Sequence, residues 1–439
     1  MLDINFIKEN KELVKKAVID KQLGESVDIE KLLDQYQTYA DLLKKVENHR
    51  ALRNQLSENI SKVSADERTK LIAEASQVKE EIKSSEKDLE DAEVLLNVLL
   101  KQVPNVVDSE VPVGKDESEN VILRQVGTPK KFDFEVKDHV DLGKYLDIIE
   151  TEKAVEVSGS RFYYLKNEAA LLEYAIVNFV FDTLRNPEIL KTLAAKTNNP
   201  STKAFVPVIP PLFIKAPVMD RMARLHPIDE RYYFEKDDLV LIGSAEHTLG
   251  PLHMDETLSL SQLPIRYIGF SPAFRREAGS YGKDTKGIIR VHIFDKLEME
   301  SFTTAENGLV EQDLIVAIQE YMIQQLGIPY QVVAICTGDM GKPDYRQMDM
   351  ECWMPSQNKY RETHTSDYMT DYQSRRLSTA YVDSTGKKRF VHMNDATAFA
   401  VGRILVAIIE NYQQKDGTVV VPEALRKYVN FEVIAPKEK

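Results

Sequence analysis

Between Phe270 and Glu298, two runs of alternating polar and apolar residues flank a segment rich in glycine and charge. The pattern predicts a hairpin of two strands. Arg275 and Glu277 fall on the first strand. Arg290, His292, Phe294, Lys296 and Glu298 follow at every second position on the other. Side chains at i and i+2 face the same way. One face would therefore gather guanidinium, imidazole, aromatic, ammonium and carboxylate groups. A polar face of this kind is ordinarily solvated surface. A phenylalanine in the middle of it fits better as a platform for a flat base.

Two further stretches carry chemistry. In Thr337–Pro355, followed by Tyr360–Thr365, acidic and apolar residues alternate around Asp349, Glu351 and Trp353, as in a strand with one polar face. In His392–Arg403, Asn394-Asp395 reads as a turn before an apolar helix, Ala396–Tyr412. An arginine inside so apolar a helix is costly to bury unless an anion or a ring meets it. Arg403 could instead snorkel to the surface. The residues alone leave both readings open.

Something must position these groups. From about Val121 onward, short β-rich runs such as Tyr267–Phe270 and Ile288–Phe294 lie between helical runs such as Glu168–Leu184 and Gly308–Gln325. This predicts an α+β domain with antiparallel strands. Residues 29–102 differ: they have helical periodicity and almost no breakers. Leu71, Ala75, Val78, Ile82, Ser85, Leu89, Ala92, Leu96 and Leu99 alternate steps of four and three, the seam of a coiled coil. Leu33, Tyr36, Ala40, Leu43, Val46, Leu56, Ile60 and Val63 form a rougher seam before it. Ser64-Ala-Asp-Glu67 interrupts the two and supplies N-cap chemistry. The expectation is an antiparallel helical hairpin about 50 Å long. Periodicity alone fits a dimerisation coiled coil as well as a lever that reaches a large partner. Only exposed basic residues such as Lys44, Lys45, Arg50, Arg53, Lys62, Arg68, Lys70 and Lys79 could touch phosphates. The organisation expected is an N-terminal domain over 1–103, a linker over 104–120 and a main domain over 121–439.

Composition narrows the class. A chain of 439 residues with 43% hydrophobic and 29% charged residues is expected to be soluble and globular, with more than one domain. No apolar run reaches the ~18 residues of a membrane helix. The start, Met1-Leu-Asp-Ile-Asn, lacks the pattern of a signal peptide. The two cysteines, Cys336 and Cys352, suit a reducing cytoplasm rather than a disulfide framework, and no zinc spacing is present. The net charge of −13 argues against a nucleic-acid binder. A local basic stripe on an acidic body would escape that argument. Lys44–Lys87 holds ten Lys/Arg against eight Asp/Glu.

The three stretches resemble motif 2, the substrate strand and motif 3 of class II aminoacyl-tRNA synthetases. In detail they resemble the seryl-tRNA synthetase family of bacterial or organellar type. The resemblance rests on Phe274-Arg-Arg-Glu-Ala-Gly-Ser280, Ile289-Arg-Val-His-Ile-Phe-Asp-Lys-Leu-Glu298 and Ala400-Val-Gly-Arg403 followed by Leu405–Gln413. It extends through Val111–Glu117, Val157–Lys166 and Val421–Tyr428 to nearly the whole chain. Ile209-Pro-Pro211 looks like motif 1, which builds the dimer interface in the family.

The resemblance implies a class II catalytic domain, an antiparallel sheet flanked by helices, behind a tRNA-binding coiled-coil arm. It implies activation of L-serine with ATP and Mg2+ and transfer to tRNA(Ser), and to tRNA(Sec) where the host has it, by a cytoplasmic homodimer with no membrane or zinc. Arg275 and Arg403 would be catalytic. ATP would meet Arg275, Arg276, Glu277, Val291, Phe294, Glu362, Thr363, His364, Thr365 and Arg403, with magnesium on Glu362 and Thr365. Arg290 and Arg346 would be further phosphate contacts. Serine would meet Ser244, Ala245, Glu246, Arg275, Glu298 and Thr397.

The sequence departs from the family pattern in places. Ser244-Ala-Glu246 replaces Thr-Ala-Glu, Glu362-Thr-His-Thr365 replaces Glu-Ile-Ser-Ser, and Tyr368 replaces asparagine. Asp395 also stands where asparagine is usual, which adds negative charge beside a site for carboxylate and phosphate. Two rivals are a carrier-protein amino-acid ligase, which would lack the arm and bind zinc, and a non-catalytic paralogue, which would lose Arg275 or Arg403.

Overall fold

The computed structural model describes residues 1–278 and 286–437; the centre of the expected hairpin loop, 279–285, lies outside them. Two compact units, Met1–Val106 and Val107–Lys439, make up the chain.

In the first unit, α1 (Ile29–Ile60) and α2 (Ala65–Gln102) pair along their length. Ser64 is the N-cap of α2, and its hydroxyl donates to Glu67. The two helices run antiparallel: Gln35 Nε2 donates to the Ala92 carbonyl, and Arg50 pairs with Glu86 at 2.7 Å. The seam buries Val46, Leu56, Val78, Ile82, Ser85, Ala92 and Leu96. The basic residues from Lys44 to Lys79 named above are exposed. A short pair of helices, Ile4–Glu9 and Lys11–Asp20, precedes the hairpin.

The second unit is built on an eight-stranded sheet. Its strands are β1 (Val121–Val126), β2 (Val206–Val208), β3 (Ile265–Phe274), β4 (Ile293–Thr303), β5 (Tyr330–Ala334), β6 (Arg346–Met354), β7 (Lys359–Tyr368) and β8 (His392–Ala400). The order is β1-β5-β6-β7-β8-β4-β3-β2, antiparallel except for β2 beside β3. Helices α3 (Asn167–Arg185), α4 (Gly308–Gln325) and α5 (Val401–Asn411) share one core with the sheet, in which Leu297, Met299, Met350, Ala396 and Phe399 are buried. Apolar residues take that face at every second position, which leaves the opposite face for polar groups. Among the described residues, no helix is long and apolar enough to cross a membrane.

Two expectations are corrected. Asn394-Asp395 is not a turn, and the helix does not begin at Ala396. Both lie in β8, and α5 starts at Val401. Small apolar residues suit either structure; a place between β7 and β4, with a pairing strand on each edge, decides for a strand. The hairpin is also shorter than expected. Arg275 and Glu277 lie beyond β3, and Arg290 and His292 precede β4. Glu277, three residues past the end of β3, has φ +54°, a left-handed backbone that a strand does not adopt.

One buried ion pair ties the sheet to its helix. Arg266 on β3 grips Glu311 on α4 through Nε–Oε1 at 2.6 Å and Nη2–Oε2 at 2.7 Å, with side chains 0% and 1% exposed. Ser301 and Asn199 satisfy the carboxylate further. Arg266→Met should cost about 3–5 kcal/mol by stranding a buried charge. Thermal unfolding checks this, and Arg266→Met with Glu311→Leu should recover most of the loss.

Candidate active site

The polar face of the sheet floors an open cleft of about 910 Å³, counting the part open to solvent. Three local features aim its residues. On β4 the period of two sends Phe294, Lys296 and Glu298 into the cleft, with Glu300 continuing the row beneath it. On β7 a bulge at Thr363 resets the alternation, so that Glu362 and Thr365 face the cleft together. On β8 a bulge at Ala398 leaves Thr397 opposite Glu298 and brings Ala400 onto the cleft face.

The mouth of the cleft is cationic and aromatic. The Arg275 guanidinium lies 5.4 Å from the centre of the Phe294 ring, and its Nε donates to the Gly243 carbonyl at 3.2 Å. Arg403 arrives from α5 and donates through Nη1 to the Glu362 carboxylate at 3.0 Å and to the Glu362 carbonyl at 2.9 Å. It neither snorkels away nor sits unmet. Arg290 pairs with Glu277 at 2.7 Å. Arg403, Arg275 and Lys296 outweigh desolvation and hold the Glu362 carboxyl below its ordinary range.

Farther along the floor the groups are acidic. Lys296 donates to Ser244 at 3.1 Å and meets Glu298 at 2.5 Å. Arg224 lies 3.2 Å from Glu246 and 3.3 Å from Asp395. Against burial, Arg224, His247 and Lys296 hold the Glu246 carboxyl well below its ordinary range. Burial, aided by Glu246, raises that of Glu298 despite Lys296. Burial and neighbouring carboxylates push Glu300 and Asp395 well above theirs. Along β4, Phe294 and Glu298 are about 13 Å apart. A ligand with a flat ring and anionic groups at one end and an ammonium at the other matches this gradient.

Most of the expected site residues line the cleft: Arg275, Glu277, Val291, Phe294, Glu362, Thr363, Thr365, Arg403, Glu246, Glu298 and Thr397. Ser244 is buried behind Lys296, and Ala245 is buried at the N-cap of a short helix, Glu246–Leu249. Three residues turn elsewhere. His364 lies on the helix-side face with its ring 4.9 Å from that of Phe399, and burial pushes its imidazole down to about 3. The bulge at Thr363 puts it there. Arg276 stacks on Tyr232 at 5.8 Å. Arg346 bonds Gln312 and Asp313 on α4. The Thr363 hydroxyl also donates away from the cleft, to the Met350 carbonyl at 3.2 Å.

Lys296, placed on the polar face by its period, and Asp395, marked by its departure from the family pattern, also line the cleft, and so do Arg224 and Asp367, which were not among the expected residues. Period two along β7 from Thr365 could have pointed to Asp367. No periodic signal marks Arg224.

Residues 1–107 match the family model for the seryl-tRNA synthetase N-terminal domain, and residues 232–412 match that for the tRNA synthetase class II core domain (G, H, P, S and T). The serine–tRNA ligase of Dictyoglomus turgidum is 39% identical over 441 residues, covering 100% of both chains. The chain belongs to the seryl-tRNA synthetase family. The serine–tRNA ligase of Thermobifida fusca is 40% identical over 440 residues, again with 100% of both chains covered. Among solved structures, seryl-tRNA synthetase from Pyrococcus horikoshii complexed with ATP superposes with a TM-score of 0.90 at 36% identity over 100% of both chains. The cytoplasmic serine–tRNA ligase of Naegleria fowleri in complex with AMP gives 0.85 at 30% identity, over 100% of this chain and 99% of that one.

Proposed function

We propose that the chain activates L-serine with ATP to seryl-adenylate and pyrophosphate, and then transfers the seryl group to tRNA(Ser), and to tRNA(Sec) where the host has one. The observation that carries this reading is the gathering of Arg275 on Phe294, with Arg403, in the cleft that also holds Glu246, Glu298 and Thr397.

A serine carboxylate oxygen attacks the α-phosphorus, the bond to the β-phosphate oxygen breaks, and pyrophosphate leaves. Arg275 bridges carboxylate and α-phosphate and stabilises the charge that develops. Phe294 supports one face of adenine. Arg403 covers the other and reaches the γ-phosphate, since a planar cation can stack and donate together. Glu277 reads the adenine amino group, with Val291 beside the ring. Arg276, Thr363 and His364 contribute no side chain directed at ATP. Glu362, 49% exposed, and Thr365, bonded to Asp349, offer the oxygen donors that a hard cation takes. They would hold magnesium, which when bound neutralises charge on the phosphates.

Glu246 takes the serine ammonium. Glu298 and Thr397 take its hydroxyl. Ser244 and Ala245 shape the wall behind them, with Ser244 fixing Lys296. A pocket built to bond a hydroxyl rejects alanine by about 10⁴-fold, because its polar groups would be left unpaired. In the second step, a ribose hydroxyl of the tRNA terminus attacks the adenylate carbonyl and AMP departs.

The domain roles follow: 1–103 as tRNA-binding domain, 104–120 as linker and 121–439 as catalytic domain. The exposed basic side chains of α1 and α2 support tRNA contact. Exposed Ile209 at 74%, with Val206, Leu171 and Tyr174, supports a homodimer. Two free cysteines suit a cytoplasmic enzyme.

ATP–pyrophosphate exchange with each of the twenty amino acids tests the assignment. Serine should give the strongest exchange of the twenty. Equal efficiency with glycine or alanine would refute it.

A further inference from the structure

The amino-acid end of the cleft carries more carboxyl groups than serine needs. Glu300, Asp395 and Asp367 stand side by side on three neighbouring strands. Glu300 is the register partner of Asp395, and Asp395 of Asp367. Direct partners on antiparallel strands turn their side chains to the same face, here the face of Glu298 and Thr397. All three carboxylates are buried. Asp367 and Asp395 line the cleft, and Glu300 stands beside Asp395 on the neighbouring strand.

The cations at hand do not balance this row. Arg224 is shared between Glu246 and Asp395, with Asp344 4.0 Å away, and Lys296 is engaged by Glu298 and Ser244. Both carboxylate oxygens of Glu300, wholly buried, have no hydrogen-bond partner among the described residues, and neither does Asp367 Oδ1. Burial and mutual repulsion favour the protonated form of these carboxyls in the empty cleft, and a donor-rich cation placed among them would displace those protons and pair with the carboxylates. A metal ion fits less well. The ligand atoms of Glu246, Glu298 and Asp395 lie within 4.8 Å of one another, but Arg224 and Lys296 already occupy that group.

We infer that this carboxylate row is a specificity element for a cationic side chain, and that the pocket also adenylates L-2,3-diaminopropionate, the analogue of serine with an ammonium in place of the hydroxyl. The inference rests on the serine reading, because it uses the same contacts for the α-carboxylate and α-ammonium. The two amino acids have the same number of heavy atoms, so a pocket that admits one admits the other by shape. They differ in that the ammonium offers three donors and a positive charge to a surface of acceptors. The step is unchanged: the carboxylate oxygen bonds to the α-phosphorus of ATP and pyrophosphate leaves with the electron pair. Asp395 would touch the side-chain ammonium. Glu300 acts through Asp395 as a positioning residue.

The test is ATP–pyrophosphate exchange with serine and with L-2,3-diaminopropionate, on the full chain and on Glu300→Gln and Asp395→Asn. Wild type should exchange with diaminopropionate above the level without amino acid. The ratio of kcat/KM for diaminopropionate to that for serine should fall about tenfold in Asp395→Asn and several-fold in Glu300→Gln. Taken within one protein, the ratio is insensitive to any loss of folded enzyme. Exchange with serine but not diaminopropionate overturns the inference and leaves the serine reading standing. An unchanged ratio in both variants overturns it as well. Exchange with diaminopropionate alone overturns the serine reading and keeps the assignment of the row; exchange with neither overturns both.

Discussion

Arg275→Ala should reduce serine-dependent ATP–pyrophosphate exchange by about 10³-fold, the loss typical of a preorganised group that stabilises charge in the transition state. Its position makes this a chemical loss rather than a structural one. The guanidinium rests on Phe294 and is steadied by the Gly243 carbonyl, at the cleft instead of in the core. Thermal unfolding of the variant should therefore match wild type. Arg275→Lys should rescue little, since an ammonium cannot bridge two anions with a planar fork. Exchange kinetics beside a melting curve check both statements. Loss of exchange together with a large fall in Tm would mean that Arg275 supports the fold instead.

Removal of Glu30–Leu100 should leave serine-dependent exchange within a few-fold of wild type and reduce tRNA charging below detection. The segment is the helical hairpin itself, and it lies within a unit that is compact without the catalytic one. Ile29 and Gln102 line the same hollow, so Ile29 and Lys101, the ends left by the deletion, lie at or next to it. Exposed basic residues on a rigid support about 50 Å long gain affinity from phosphates and fix orientation. Single-turnover charging measured beside exchange separates the two steps. If the truncated chain still charges tRNA, the arm is not the tRNA lever.

The long-range organisation was legible because it rests on periodicity. Steps of four and three from Leu71 to Leu99 lead to α2, and the helical run from Gly308 to Gln325 is α4 to the residue. Local geometry was harder to read where irregular backbone overrides periodicity. His364 should share a face with Glu362 in an ideal strand, yet the bulge at Thr363 sends it into the core and puts Thr365 in its place. The Asp395 segment reads as turn and helix because small apolar residues fit many structures; its place in the middle of the sheet comes from neighbours distant in sequence. Arg224 belongs to no pattern at all. It reaches the cleft only because Glu246 and Asp395 come together around it. The families of motifs that carry Arg275, Phe294 and Arg403 were visible individually, while their convergence is a property of the folded sheet.

The central claim is that Arg275, Phe294 and Arg403 grip a bent nucleotide beside a bound serine. A crystal structure of the full chain with a non-hydrolysable seryl-adenylate analogue tests it most directly. Adenine should lie between Phe294 and the Arg403 guanidinium, the phosphate mimic should contact Arg275, and the serine hydroxyl should meet Glu298 and Thr397. An analogue bound instead in the neighbouring hollow of Asp349, Glu351, Lys359 and Arg361, with Phe294 uncovered, would contradict the account.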